Sequence, residues 1–309
     1  MILERRAFLE SFAKEEEQLV FLQARKELLQ RILKNKYSLR DGIDRDRQVA
    51  RQRALPSWER TARGALFSLA GRKDERKAKS GIRHNFAADV QAKLIDDIPR
   101  IEEEVRDLIR LHSSSKKAFS ASREQKEQTQ DELLHYVATH RDDPKQALKD
   151  YRESDRAYRL LSAAAESGRT YYTYLRALRK QLLGAAATAK RPLGRRPYFD
   201  ILLQRAYTRQ SEDWSASAET LQLDFLTDLH TLKKMTPSSY PTAGQIAFSP
   251  YFFDTTMTRL LTMRRGDELH ALLETAANQL AALLLALETD RRQAKEDRDR
   301  CAEGAGLAL

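Results

Sequence analysis

Six histidines, one cysteine and a few short carboxylate, arginine and glycine patterns are the residues of this 309-residue chain whose types and spacing could do chemistry. Glu132-Leu133-Leu134-His135 would set a carboxylate and an imidazole on one helix face, the spacing by which helical bundles hold a pair of irons. That chemistry needs a second such pair and two further carboxylates, and the chain has no second copy. His140-Arg141-Asp142 opens like a protein-kinase catalytic loop, but the required asparagine five residues after the aspartate is Ala147, and neither a DFG triplet nor a Gly-rich phosphate loop accompanies it. Gly64 and Gly71, followed by Arg72-Lys73, are separated by six residues rather than four, and Asp74 stands where a phosphate loop needs a hydroxyl for Mg²⁺. The histidines at 84, 112, 135, 140, 230 and 270 lack metal-ligand spacing. We therefore expect no catalytic residue, no metal and no cofactor, and hence no enzyme.

The remaining chemistry is that of charge. Between Arg169 and Arg209 ten basic residues face a single acid, Asp200, and tyrosines and a phenylalanine are interleaved with them (Tyr171, Tyr172, Tyr174, Tyr198, Phe199, Tyr207). A second stretch, Arg40 to Arg83, carries thirteen Lys/Arg against six acids. These two segments sum to +16 in a chain whose net charge is only +10, so the rest is acidic and the positive charge marks particular faces. Lipid headgroups, nucleic acid or an acidic protein would all answer to such faces. Aromatics beside arginines can stack on bases, although tyrosine is equally a bundle-core residue with its hydroxyl turned outward. There is no RNA-recognition motif, zinc-finger spacing or helix-turn-helix, which ranks nucleic acid behind lipid or protein.

Within the second stretch, Pro56 opens and Gly71 closes a short helical segment, Ser57–Ala70. Trp58, Ala62, Ala65, Leu66 and Leu69 fall within about 100° on its wheel, with Arg60 and Arg63 opposite. An indole, leucines and a basic face are what an interfacial membrane helix uses, and Arg72 and Lys73 flank its end; Phe67, on the polar side, breaks the pattern. The candidate anion- or membrane-binding residues are therefore Trp58, Arg60, Arg63, Leu66, Leu69, Arg72 and Lys73, together with Arg176, Arg179, Lys180, Lys190, Arg191, Arg195 and Arg196.

Long runs of Ala, Leu, Glu, Lys, Arg and Gln with only eleven glycines and eight prolines predict an all-α fold, an elongated hairpin or bundle with long, coiled-coil-like antiparallel helices. Phe8, Phe12, Leu19, Leu22, Leu29 and Leu33 predict a first helix from Ile2 to about Lys36, after which the polar stretch Tyr37–Arg53 is broken at Gly42. From Ile82 the stripe Ile95, Ile98, Ile101, Val105 and Leu108 predicts a helix kinked at Pro99. The polar stretch His112–Gln130, with Phe119 its one large apolar residue, is expected to project beyond the core or to be partly disordered.

Asp143, Pro144 and Gln146 form an N-terminal capping pattern, placing a hairpin turn near 141–144. The following arm has a seam of Ala147, Tyr151, Tyr158, Leu161, Ala165, Gly168, Tyr172, Leu175, Leu178 and Leu182, which is expected to pair with a second copy or with the remaining helices. A main domain over 1–235 is thus followed by a loop at 236–250 and a C-terminal helix within 251–309. Leu269, Leu272, Ala276, Leu280, Leu283 and Leu287 turn that helix back onto the bundle, ahead of a charged, partly disordered tail. Pro197-Tyr198-Phe199-Asp200 and Pro250-Tyr251-Phe252-Phe253-Asp254 echo each other as helix entries rather than as a repeat.

The segment from Leu55-Pro56-Ser57 through Gly64-Ala65-Leu66-Phe67-Ser68-Leu69-Ala70-Gly71-Arg72-Lys73-Asp74-Glu75-Arg76, with Ser249-Pro250-Tyr251-Phe252-Phe253-Asp254, resembles uncharacterised helix-rich bacterial proteins. The resemblance implies no activity and no site residues. Cys301, alone in a charged segment, and an N-terminus charged from its fourth residue fit a cytoplasmic protein, with any membrane contact peripheral at the inner face. The expected function is a non-enzymatic helical scaffold with basic faces. In its sharpest form it is a BAR-like peripheral membrane protein, with a homodimer or protein partner expected; the alternative is a nucleic-acid-binding helical protein.

Overall fold

In the computed structural model the chain is described over residues 2–54, 73–138, 144–189, 217–236 and 266–304. It is all-α: the described residues form six helices and no strand. These are α1 (Ile2–Ala54), α2 (Lys73–Ala121), α3 (Arg123–Ala138), α4 (Pro144–Ala189), α5 (217–235) and α6 (Gly266–Gly304). Two compact units are distinguished, Leu29–Arg110 and the combination of Met1–Leu28 with Leu111–Leu309. The expected turn at 141–143, the helix Ser57–Ala70, the loop beyond Thr236 and both Pro-Tyr-Phe helix entries lie outside the described residues.

In the unit Leu29–Arg110, α1 does not stop near Lys36 but runs through Gly42 to Ala54. Glycine in a helix interior costs about 1 kcal/mol relative to alanine, too little to break a helix whose flanking turns are packed. Leu33, Tyr37, Leu39 and Ile43 supply that packing against buried Leu94 and Ile98 of α2. Pro99 sits inside α2 without ending it. The buried stripe of α2 is Leu94, Ile98, Ile101, Val105 and Leu108, whereas Ile95 is 60% exposed, so the expected face is rotated by one residue at its start. Lys36 Nζ donates to Asp97 Oδ2 at 2.8 Å inside this unit, and the two side chains are each only 10% exposed. A buried ion of either sign is tolerated because its counterion is buried with it.

The other unit is organised around α4. From Leu161 its buried positions follow steps of three and four, through Ala164, Gly168, Tyr171, Leu175 and Leu178. α6 lies antiparallel along this face: Arg179 pairs with Glu274, Arg169 with Glu288, and the Arg298 guanidinium sits 4.4 Å from the centre of the Tyr158 ring. Buried Leu273, Ala276, Leu280, Leu284, Leu287 and Ala294 line its side of the interface. Tyr171 is the fully buried tyrosine and Tyr172 only half-buried, just as Leu284 rather than Leu283 is buried. The charged run Asp290–Arg300 is helical, part of α6 as far as Gly304.

α5 completes the apolar seam. A Cβ on Gly168 would stand 2.7 Å from both Leu284 Cδ2 and Phe225 Cε2, so three helices meet where one of them has no side chain. On α5 the buried Thr227 and Thr231 hydroxyls donate to the carbonyls of Leu223 and Thr227 at 2.6 and 2.8 Å, satisfying polar groups that burial would otherwise penalise. Arg25 of α1 donates to Asp224 at 2.6 Å and Lys234 to Glu27 at 2.9 Å.

His112–Gln130, expected to project or to be partly disordered, is helical, interrupted only by a turn at Ser122. Its single large apolar residue explains this: the Phe119 ring lies 4.4 Å from that of buried Phe12, and Lys126 Nζ covers the Phe12 ring at 4.2 Å. Ser114, Ser120 and Thr129 donate to carbonyls three or four residues back, so the polar character of the segment does not oppose the helix.

Candidate functional site

Most of the anion-binding candidates lie outside the described residues: Trp58, Arg60, Arg63, Leu66, Leu69, Arg72, Lys190, Arg191, Arg195 and Arg196. Lys73 is the first residue of α2, and its side chain is likewise outside them. The other three share α4. Arg179 Nη2 donates to Glu274 of α6 at 2.7 Å, so part of its charge is neutralised, and Arg169 of the same basic stretch is paired with Glu288. Arg176 and Lys180 are exposed; the Arg176 guanidinium lies 5.8 Å from the Tyr172 ring centre. A local charge count overstated this face because its counterions come from a helix about a hundred residues downstream.

Nearer its N-terminus α4 carries a second row of cations that sequence reading missed, Arg152, Arg156 and Arg159, spaced to share one face. Arg156 Nη2 donates to Glu16 of α1 at 2.6 Å, and Arg159 Nη2 to Glu17 at 2.7 Å, with Asp155 also bound by Arg159. Arg152 has no carboxylate partner among the described residues, and its Nη2 is sealed from solvent without a hydrogen-bond acceptor. Burial, then the neighbouring Arg156 charge, holds the Arg152 guanidinium below its ordinary pKa. Lys126 is displaced the same way, first by burial; the charges of Arg152, Arg156 and Arg123 add to that shift and Glu16 opposes it.

Arg152 and Arg156 line a cleft of about 510 Å³ between α3 and the first turns of α4, bordered also by Gln130, Asp131, Lys149 and Glu153. An adjoining cleft of about 610 Å³ includes Phe12, Phe119, Lys126 and again Gln130 and Asp131. The spacing of the three arginines was the available signal, but the lack of a counterion at the first of them depends on α1 and is invisible in α4 alone.

Among the described residues no three His, Cys, Asp or Glu side chains converge as a metal would require, and no helix is long and apolar enough to cross a membrane. Cys301 is a half-buried free thiol. No family model, no curated protein and no solved structure matches the chain.

Proposed function

We propose that the protein is a non-catalytic helical scaffold that assembles with a second copy of itself through α6. The observation that carries this reading is a stretch of α6 without charge. From Thr275 to Leu287 there is no Asp, Glu, Lys or Arg, in a chain that is 32% charged. One side of this stretch is buried against α4, and the opposite side, Thr275, Asn278, Ala282, Leu285 and Thr289, is exposed at steps of three and four. Leu285 is 72% exposed. A helix lacking charge on both sides is normally covered on both, and a self-complementary stripe is the simplest surface for a two-fold pairing. Around Gly168 the seam of α4 is not available for this, since Phe225 of α5 and Leu284 of α6 already cover it.

Sedimentation equilibrium at tens of micromolar should give a dimer for the wild type and a monomer for Leu285→Glu, because a carboxylate in an apolar pairing stripe opposes association. A wild-type monomer under those conditions would overturn self-assembly.

A second reading, BAR-like peripheral binding to an anionic membrane surface at the cytoplasmic face, is supported by exposed Arg176 and Lys180, whose helix leads in sequence toward Lys190, Arg191, Arg195 and Arg196. Each cation near an anionic bilayer contributes about 1 kcal/mol, so binding should fall steeply with salt. Co-sedimentation with anionic vesicles at low ionic strength, lost on reversing Arg191, Arg195 and Arg196 to Glu, is the expected result. Wild-type protein that ignores such vesicles removes this reading, and displacement from them by RNA would favour nucleic acid.

A further inference from the structure

The polar cleft at the start of α4 goes beyond the assembly reading. We propose that it is a binding site for a small soluble phosphate-bearing anion, gripped by Arg152 with Arg156 beside it.

A guanidinium whose terminal nitrogen is closed off from water, without an acceptor, is an uncommon arrangement, because desolvating such a group without replacing its hydrogen bonds is costly. Three arginines of α4 form one row, each with one buried nitrogen that has no acceptor, and the two with neighbours on α1 are each paired with a carboxylate: Arg156 with Glu16 and Arg159 with Glu17. The third, Arg152, has no carboxylate partner among the described residues, and its side chain lines an open cleft. Lys126, on α3 in the adjoining cleft, is a nearby cation whose own charge is disfavoured by burial and by Arg152 and Arg156. Like charges crowded in a partly desolvated space repel, and a dianion entering beside Arg152 and Arg156 converts that repulsion into attraction.

The planar fork of arginine matches two oxygens of a phosphate, with charge-assisted hydrogen bonds about twice as strong as neutral ones. The cleft also reaches the first turn of α4 at Lys145, where the helix dipole favours negative charge. Two acids border it. Glu153 is engaged by Lys149 at 4.0 Å, and Asp131 is exposed, on the solvent side where its repulsion is screened. About 510 Å³ falls within the range of small-ligand sites and suits a phosphomonoester rather than a polymer.

Inorganic phosphate and glycerol phosphate, titrated at constant ionic strength with chloride as the compensating ion, provide the test. The wild type should show saturable heat by calorimetry and a rise in melting temperature. Arg152→Gln should weaken binding by about tenfold or more, while Lys295→Gln, which removes an exposed cation on α6, should leave it unchanged. Arg152→Lys keeps the charge without the fork and should lose several-fold in affinity, so it decides the matter even if Arg152→Gln does not fold. Absence of saturable binding up to about 10 mM phosphate, or equal binding by wild type and the Arg152 variants, overturns the site.

Discussion

Helix α4 is held in two different ways along its length. From Leu161 onward it is closed by shape: small residues at Ala164, Ala165 and Gly168 let α5 and α6 approach until Phe225 and Leu284 fill the space a side chain would take. Before Leu161 the buried stripe continues through Leu148, Tyr151, Ala157 and Leu160, but beside it runs a row of charge, with Arg156 and Arg159 tied to α1 and Arg152 beside a cleft. Close packing rewards one geometry and tolerates little else, whereas a row of ion pairs can leave a position unfilled and still stand. The tight half therefore carries stability, and the half with an unfilled position is where a ligand can be taken up.

The largest expected effect breaks the tight half. Gly168→Leu drives a side chain into Leu284 and Phe225, both buried, and should cost about 3 kcal/mol in urea unfolding, while Lys295→Gln on the exposed side of the same neighbour helix should change stability little. A Gly168→Leu variant as stable as wild type would mean that the three helices do not meet as closely as described.

The polar half should respond according to pairing rather than burial. Arg159→Gln strands Glu17 and Asp155, both less than one-sixth exposed, and should cost about 2 kcal/mol. Arg152→Gln, measured without phosphate, should cost nothing or stabilise, because it removes a partly desolvated cation that has no counterion among the described residues. Equal losses for the two variants would erase the distinction between a filled and an unfilled position in the row.

The sequence carried the fold class in its composition and much of the packing in its periodicity, but not the phase of that periodicity. At Leu94–Ile95, Tyr171–Tyr172 and Leu283–Leu284 two adjacent apolar residues fit the same stripe, and which of them is buried depends on where the neighbouring helix lies. Gly42 misled for a related reason: local propensity spoke for a break, and contacts to Leu94 and Ile98, fifty residues away, outweighed it. Charge was the least legible feature. Four cations from Arg169 to Lys180 read as one surface until Glu274 and Glu288 are seen to engage two of them, and Arg152 reads as one arginine among many until it is found without a carboxylate among the described residues.

A second glycine sharpens the contrast with a smaller effect of opposite sign. A Cβ on Gly42 would meet nothing within 4 Å, so Gly42→Ala should gain about 0.5–1 kcal/mol from helix propensity and reduced unfolded-state freedom. A loss there would show that the backbone of α1 at this point needs glycine for a reason other than space.

The smallest expected effect tests a titratable carboxyl near the tight half. Asp228 on α5 has its carboxyl held above the ordinary aspartate value of 3.8, first by burial and then by the charges of Asp224 and Glu166, against a hydrogen bond with Ser167 and the charge of Arg25. The folded state therefore binds this proton more tightly than the unfolded chain does. Its contribution to stability is full below 3.8 and declines as pH rises through the folded-state value, so at neutral pH the ionised group opposes folding. Asp228→Asn keeps a hydrogen-bonding side chain for Ser167 and removes the charge. Its melting temperature should exceed that of wild type at pH 7, and the advantage should shrink as the pH falls toward and below 3.8. A variant that is less stable than wild type by the same amount across that range would show instead that the Asp228 carboxylate is a net stabilising partner of Arg25, placing a second charge-held contact beside the close-packed half of α4.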